Sequence, residues 1–119
     1  MPNPVVHFEI IGNDGPGLQT FYGDLFDWKI TVEDTFNYGM VETGGEGGIN
    51  GGISADPHGG NRVSVYVEVD DLQAYLDKAE NLGAMTVLPP TDMGYVKIAI
   101  FSDPAGNMTG LIKSNDTAE

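Results

Sequence analysis

The sequence predicts a single α+β domain: two βαβββ modules forming a curved, barrel-like mixed sheet around a cleft, with the helices outside. Three observations predict it. The length, 119 residues, is that of one domain. Valines at 63, 65, 67 and 69 alternate with Ser64, Tyr66 and Glu68, the period-2 pattern of a strand. The order strand, helix, three strands, read over residues 4–55, returns over residues 61–113. A lone βαβββ unit has one sheet face under its helix and the other bare, so two units sharing a cleft is the physical expectation.

Each element follows from local pattern. Residues 5–11 read as a strand and residues 12–16 as a loop. Asp14 is placed to cap the helix behind that loop, its carboxylate accepting from free N–H groups of the first turn. Leu18, Phe21, Tyr22, Leu25 and Phe26 then fall at helical spacing on one face. Residues 28–32, 36–41 and 49–54 read as strands, separated by a glycine-rich turn at 43–48 and followed by a loop at 56–60. In the second half the valines face the helix layer, and Ser64, Tyr66 and Glu68 face the cleft. Asp70 or Asp71 caps a helix whose apolar face is Leu72, Tyr75, Leu76, Ala79 and Leu82, closed by Gly83. Strands at 85–88, 95–101 and 108–112 complete the copy, with a turn at 103–107. Leu18, Phe21, Tyr22 and Leu25 match Leu72, Tyr75, Leu76 and Ala79 at an offset of 54. Asp14 and Asp71 are 57 apart, which predicts a longer cap-to-helix loop in the first copy.

Composition excludes several classes. Five basic residues against eighteen acidic ones leave a net charge of −13. Such a surface repels phosphate backbones and anionic lipids, so neither nucleic acid nor a membrane is an expected partner. There are no cysteines, which removes disulfides and thiolate chemistry. No apolar run approaches the roughly 20 residues of a spanning helix, and the first ten residues lack a signal-peptide pattern. A cytoplasmic protein is expected. The glycine-rich stretch 43–60 lacks the GxxxxGK[ST] phosphate pattern and reads as tight turns, with His58 in an exposed loop.

Several motifs carry a family resemblance. Residues 6–10 (VHFEI), with Asp14 beyond, then Phe21-Tyr22 and Leu25-Phe26-Asp27-Trp28, resemble the opening strand and helix exit of the vicinal oxygen chelate superfamily (glyoxalases, bleomycin resistance proteins and extradiol dioxygenases). Residues 65–72 (VYVEVDDL) are similar to its second-module opening. Residues 101–107 (FSDPAGN) are similar to its turn before the last strand, and residues 49–53 to the segment that ends the first module. Together they span nearly the whole chain in order, in the manner of a small glyoxalase-like subgroup. The resemblance implies the two-module fold, a small-molecule cleft and a homodimer.

It also implies where a divalent metal would bind. Metal-dependent members use His and Glu from the first and last strands of each module. His7 stands at the first such position. The others hold Ser64 and Gly110, and residues 49–53 offer no His or carboxylate. Such a site needs about three protein ligands, so His7 is the one matching position, and glyoxalase I or extradiol dioxygenase activity is not expected.

Strand parity selects other candidates. If His7 faces the cleft, so does Glu9, while Val6, Phe8 and Ile10 face the helix. Glu9 and Glu68 are read as equivalent places in the two modules. His7, Glu9 and Glu68 could thus form an acid–base constellation, or be ordinary hydrogen-bonded and solvated residues. For His7, a residual metal ligand, an acid–base group and a His satisfied by a neighbour all stay open. Tyr38, Met40, Asn50, Ser64, Tyr66, Met93, Tyr95, Lys97, Phe101 and Met108 are candidates to line a ligand site, with core filling the alternative for the apolar ones. Trp28 is expected to pack at the end of the first helix. The leading expectation is a small organic ligand held without a metal or other cofactor. The second is a metal-independent isomerase, epimerase or lyase. The third is a divalent-metal enzyme.

Overall fold

A computed structural model describes residues 2–35, 37–56 and 60–114. The fold is α+β. The strands are β1 (Val5–Gly12), β2 (Lys29–Glu33), β3 (Tyr38–Glu42), β4 (Asn50–Ala55), β5 (Arg62–Glu68), β6 (Met85–Asp92), β7 (Val96–Ser102) and β8 (Met108–Ser114). The helices are α1 (Gly15–Phe26) and α2 (Leu72–Asn81). The predicted His58 loop position, like Phe36 at the start of the third predicted strand, lies outside the described residues. Among the described residues no helix is long and apolar enough to cross a membrane.

The chain forms two compact units, one of Val6–Ser64 and one of Met1–Val5 with Val65–Glu119. In the first, the strand order is β2-β3-β4-β1, with β1 and β4 parallel and the other neighbours antiparallel. In the second it is β5-β8-β7-β6, again with one parallel pair, β5 and β8. The second unit also takes the start of the chain: Glu68 N–H donates to the Pro4 carbonyl at 2.9 Å, and Asn3 bonds the Tyr75 hydroxyl.

Both helix caps form as the sequence predicts. Asp14 accepts from Gly17 N–H at 2.9 Å and Asp71 from Ala74 N–H at 3.0 Å. The longer cap-to-helix loop expected in the first copy does not form. α1 begins directly after Asp14, and α2 directly after Asp71. The offset of 57 therefore runs on through the helices: the buried positions of α1 are Gly15 and Gln19, and those of α2 are Leu72 and Leu76.

Each unit has its own core. Under α2 it is Val69, Leu72, Leu76, Ala99 and Leu111, with Val67, Tyr75 and Phe101 against it. Under α1 it is Ile10, Val41 and Ile53, with Phe8, Leu18, Tyr22, Trp28 and Ile30. Trp28 stacks on Tyr22 with centroids 5.9 Å apart and packs on Phe26 and Phe8. Two apolar expectations need correction. Phe21, Leu25 and Phe26 are each more than half exposed, and so is Leu82. Helical spacing marks a shared stripe, but α1 turns only its Gly15–Leu18–Gln19–Tyr22 side inward. Likewise only Val67 and Val69 of the valine row pack beneath a helix. Val65 is exposed and Val63 is 71% exposed.

β6 runs four residues beyond its predicted end, to Asp92, through Pro89-Pro90. The β6–β7 register shifts between Leu88 and Thr91, as it must where prolines offer no N–H to the ladder. The turn at 103–107 is tied by Asp103, whose carboxylate accepts from Ala105 N–H, Asn107 N–H and the Asn107 amide. The bonds from Asn107 above all hold that exposed carboxyl below the usual carboxylate range.

Candidate functional site

β1 places its side chains alternately on two faces, as parity requires. Phe8 and Ile10 enter the core under α1. His7 and Glu9 stand on the opposite face. β3 alternates in the same way: Val41 is in the core, while Tyr38 and Met40 share the face of His7 and Glu9.

Tyr38 joins the two. Its hydroxyl lies 2.9 Å from His7 Nε2 and donates to Glu9 Oε2 at 3.0 Å. The imidazole and phenol rings are within 14° of parallel. Glu9 is only 9% exposed, so its carboxylate depends on these internal partners. Burial lowers the His7 pKa from its ordinary 6.5, because desolvation disfavours the charged ring. A neutral imidazole therefore faces the phenol at neutral pH.

The sequence makes room for this group at Gly52, which pairs with Glu9 across the parallel ladder and with Met40 across the antiparallel one. A Cβ there would overlap the Tyr38 phenol. The same device recurs in the second unit. Tyr66 pairs with Gly110 on the parallel β5–β8 ladder, and a Cβ on Gly110 would overlap the Tyr66 ring. This corrects the equivalence drawn between Glu9 and Glu68. The buried pair at matching places, opposite Gly52 and Gly110, is Glu9 and Tyr66. Glu68 falls two residues further on, opposite Ile112, and is exposed. Parity had fixed its face but not its place along the strand.

Gln19 supports the group from behind. It is buried, and its amide donates to the Asn37 carbonyl at 3.1 Å and to the Ile53 carbonyl at 2.8 Å. Asn37, at φ +56, is the residue before Tyr38. The helix thus grips the turn that delivers Tyr38 and the strand that carries Gly52. Gln19 lies on no apolar stripe and in no motif, so sequence reasoning missed it. Its one signal is that it takes the buried place of Leu76 at an offset of 57.

The other predicted lining residues divide. Met40 is 36% exposed, on the Tyr38 face. Asn50 pairs with His7 on the ladder, and its side-chain oxygen accepts from Thr43 N–H at 3.1 Å. Ser64 and Met108 are half-buried, and Lys97 is exposed. Met93 and Tyr95 are 44% and 67% exposed. Phe101 packs with Val67 against the α2 core, on the side of β5 opposite Tyr66.

Two depressions lie elsewhere. One of about 650 Å³ in the first unit runs past Ile11, Asn13, Asp14, Leu18, Asn61 and Arg62. One of about 270 Å³ in the second unit lies along α2 between Tyr75, Leu82 and Phe101. Neither contains His7, Glu9 or Tyr38. The larger is the roomier feature, but its guanidinium is bound to Asp56 at 2.7 Å and its Asp14 is occupied as a cap. The chemistry is concentrated at Tyr38.

A divalent metal of the kind the resemblance implies finds a poor donor set. Among the described residues no three His, Asp or Glu side chains converge. His7 and Glu9 do share a face, but a phenol stands between them, and Gly110 offers no donor where the last-strand Glu would be.

Comparison with known proteins agrees with the fold. A profile of the Glyoxalase/Bleomycin resistance protein/Dioxygenase superfamily matches residues 5–111. An uncharacterized protein of Shewanella frigidimarina is 24% identical over 98% of this chain and 97% of its own length. The anthracycline biosynthesis protein DnrV of Streptomyces peucetius is 26% identical over 88% of this chain, which spans only 45% of DnrV. Among solved structures, a hypothetical protein of Bacillus halodurans C-125 superposes with a TM-score of 0.72 at 13% identity, covering 100% of this chain and 99% of that one. The methylmalonyl-CoA epimerase of Mycobacterium tuberculosis gives 0.66 at 15% identity, covering 92% and 87%. Over nearly its whole length, the chain belongs to the glyoxalase/bleomycin resistance protein/dioxygenase superfamily.

Proposed function

We propose that this chain binds a small organic molecule on the sheet face that carries His7, Glu9, Tyr38 and Met40, without the divalent metal used by metal-dependent relatives. The observation that carries the reading is the Tyr38 hydroxyl set between His7 and Glu9 above Gly52. It engages the family-position imidazole with a phenol. In the second unit the Tyr66 ring covers Gly110, the place where a last-strand carboxylate would stand. Metal analysis of protein purified without chelator tests this directly. Substoichiometric Ni, Zn, Fe and Mn is expected, and one ion per chain would overturn the metal-free reading.

A second reading, acid–base catalysis, has a specific observation behind it. A neutral imidazole, a phenol and a buried carboxylate in series are suited to taking a proton from a bound carbon acid. Tyr38→Phe separates the two. In a binder it weakens affinity by no more than about fivefold, since one hydrogen bond contributes about 1 kcal/mol. In an acid–base enzyme it abolishes solvent-deuterium exchange into the ligand. The relationship to an epimerase fold favours neither reading at 15% identity.

A further inference from the structure

We propose that β2 is an edge by which two copies of this chain join. The two β2 strands pair antiparallel about a two-fold axis at Thr31. The inference stands apart from the ligand reading and asks nothing of Tyr38.

β2 (Lys29–Glu33) lies at the end of the strand order and pairs with β3. Its outer N–H and C=O groups are a template for a further strand. Edge strands are ordinarily blunted, and β6, the outer strand of the other unit, shows how. Pro89 and Pro90 remove two donors from it, and its register to β7 shifts twice. β2 has neither device. It contains no proline, and its five residues pair with β3 in unbroken register, from Lys29 with Glu42 to Glu33 with Tyr38.

The sequence of β2, KITVE, is complementary to itself read backwards. With Thr31 opposite Thr31 of the second copy, Lys29 stands opposite Glu33 and Ile30 opposite Val32, each pair twice. Opposite-charge and β-branched cross-strand pairs are both favourable. Moving the axis by one residue loses this. About Val32, Ile30 meets Asp34; about Ile30, Glu33 meets Asp27. Lys29 hinders a strand of arbitrary sequence, but in this register it finds a carboxylate.

The side chains are placed for such pairing. Lys29, Thr31, Val32 and Glu33 are all exposed, Val32 by 43%. Ile30 packs under α1, and Val32 is on the same face, so the second copy extends that apolar row. Lys29 and Glu42 are 3.9 Å apart with both side chains more than half exposed, a pair that gives way easily. Glu33 keeps a further interaction within its own chain, and a carboxylate accepts from more than one donor.

Sedimentation of the chain over a concentration series tests this, and a reversible dimer is expected. Lys29→Glu puts like charges opposite each other at both ends of the pairing, and so does Glu33→Lys. Each alone should weaken the dimer by about tenfold or more. Mixed in equal amounts, the two variants complement each other and should form a heterodimer about as tight as the native dimer. That arm also shows that both variants fold. Thr31→Cys supplies the only thiol in a chain without cysteine and sets it on the axis, so mild oxidation should link two copies. Val87→Cys, at an exposed position of β6, should stay unlinked in dilute solution. A chain that is monomeric at every concentration would overturn the proposal. So would a dimer indifferent to both charge reversals, a mixture that fails to associate, or equal cross-linking of the two cysteine variants.

Discussion

Gln19 and Leu76 occupy the same place in the two modules, five residues after the capping aspartate, and both are buried. Leu76 fills the core under α2. Gln19 donates two hydrogen bonds to strand and turn carbonyls. One helix is held by packing and the other in part by a directed polar grip. The strands show a parallel contrast: Glu9 sits opposite Gly52 where Tyr66 sits opposite Gly110. At the helix place the second module uses bulk and the first uses hydrogen bonds. A duplicated scaffold thus tolerates a polar side chain at a place that its other copy fills with an apolar one, while each copy keeps its own core.

The sharpest way to break this comparison is at the helices. Leu76→Ala should cost about 2–5 kcal/mol, as for a fully buried leucine, whereas Leu25→Ala on the exposed stripe of α1 should cost under about 0.5 kcal/mol. Chemical denaturation of both variants would measure the gap, and similar costs would mean that the α1 stripe is covered. Next come the glycines. Gly52→Ala and Gly110→Ala each force a tyrosine to move, at a cost of about 1–3 kcal/mol. Only Gly52→Ala should also disturb the His7 and Glu9 signals in NMR spectra.

Gln19→Leu makes the first helix resemble the second. It should still destabilise, by about 1–2 kcal/mol, because the Asn37 and Ile53 carbonyls lose their donor. A stabilised protein would show that the polar grip serves no purpose. The smallest effect is on pH dependence. The folded His7 pKa lies below the unfolded value of 6.5, so its contribution is fully present above 6.5. It is lost as pH falls through the folded pKa, because the unfolded chain takes up the proton first. His7→Gln should flatten that part of a stability–pH curve.

The fold was largely legible because it rests on short-range signals. The alternating valines, the two aspartate caps and the DPAGN turn each act within a few residues of where they are read. Parity likewise placed His7 and Glu9 on one face, and the structure adds Tyr38 and Met40 to it. What escaped depends on pairing across the chain. The register opposite Gly52 and Gly110 decides that Tyr66, and not Glu68, matches Glu9. Gln19 was invisible because a buried carboxamide looks like any surface glutamine until the carbonyls it meets are known. The exposed Phe21, Leu25 and Phe26 escaped for the opposite reason: a strong helical stripe gives no sign of how much of it the sheet will cover.

Tyr38 has a single hydroxyl hydrogen, and it is given to Glu9. The bond to His7 must then be supplied by the imidazole, so a neutral His7 carries its hydrogen on Nε2. The tautomer of one residue is thus set by the hydrogen bond that another, two places along the strand, accepts. Any bound group that took the Tyr38 hydrogen, or gave one to Glu9, would be reported by the nitrogen-15 shifts of the His7 ring.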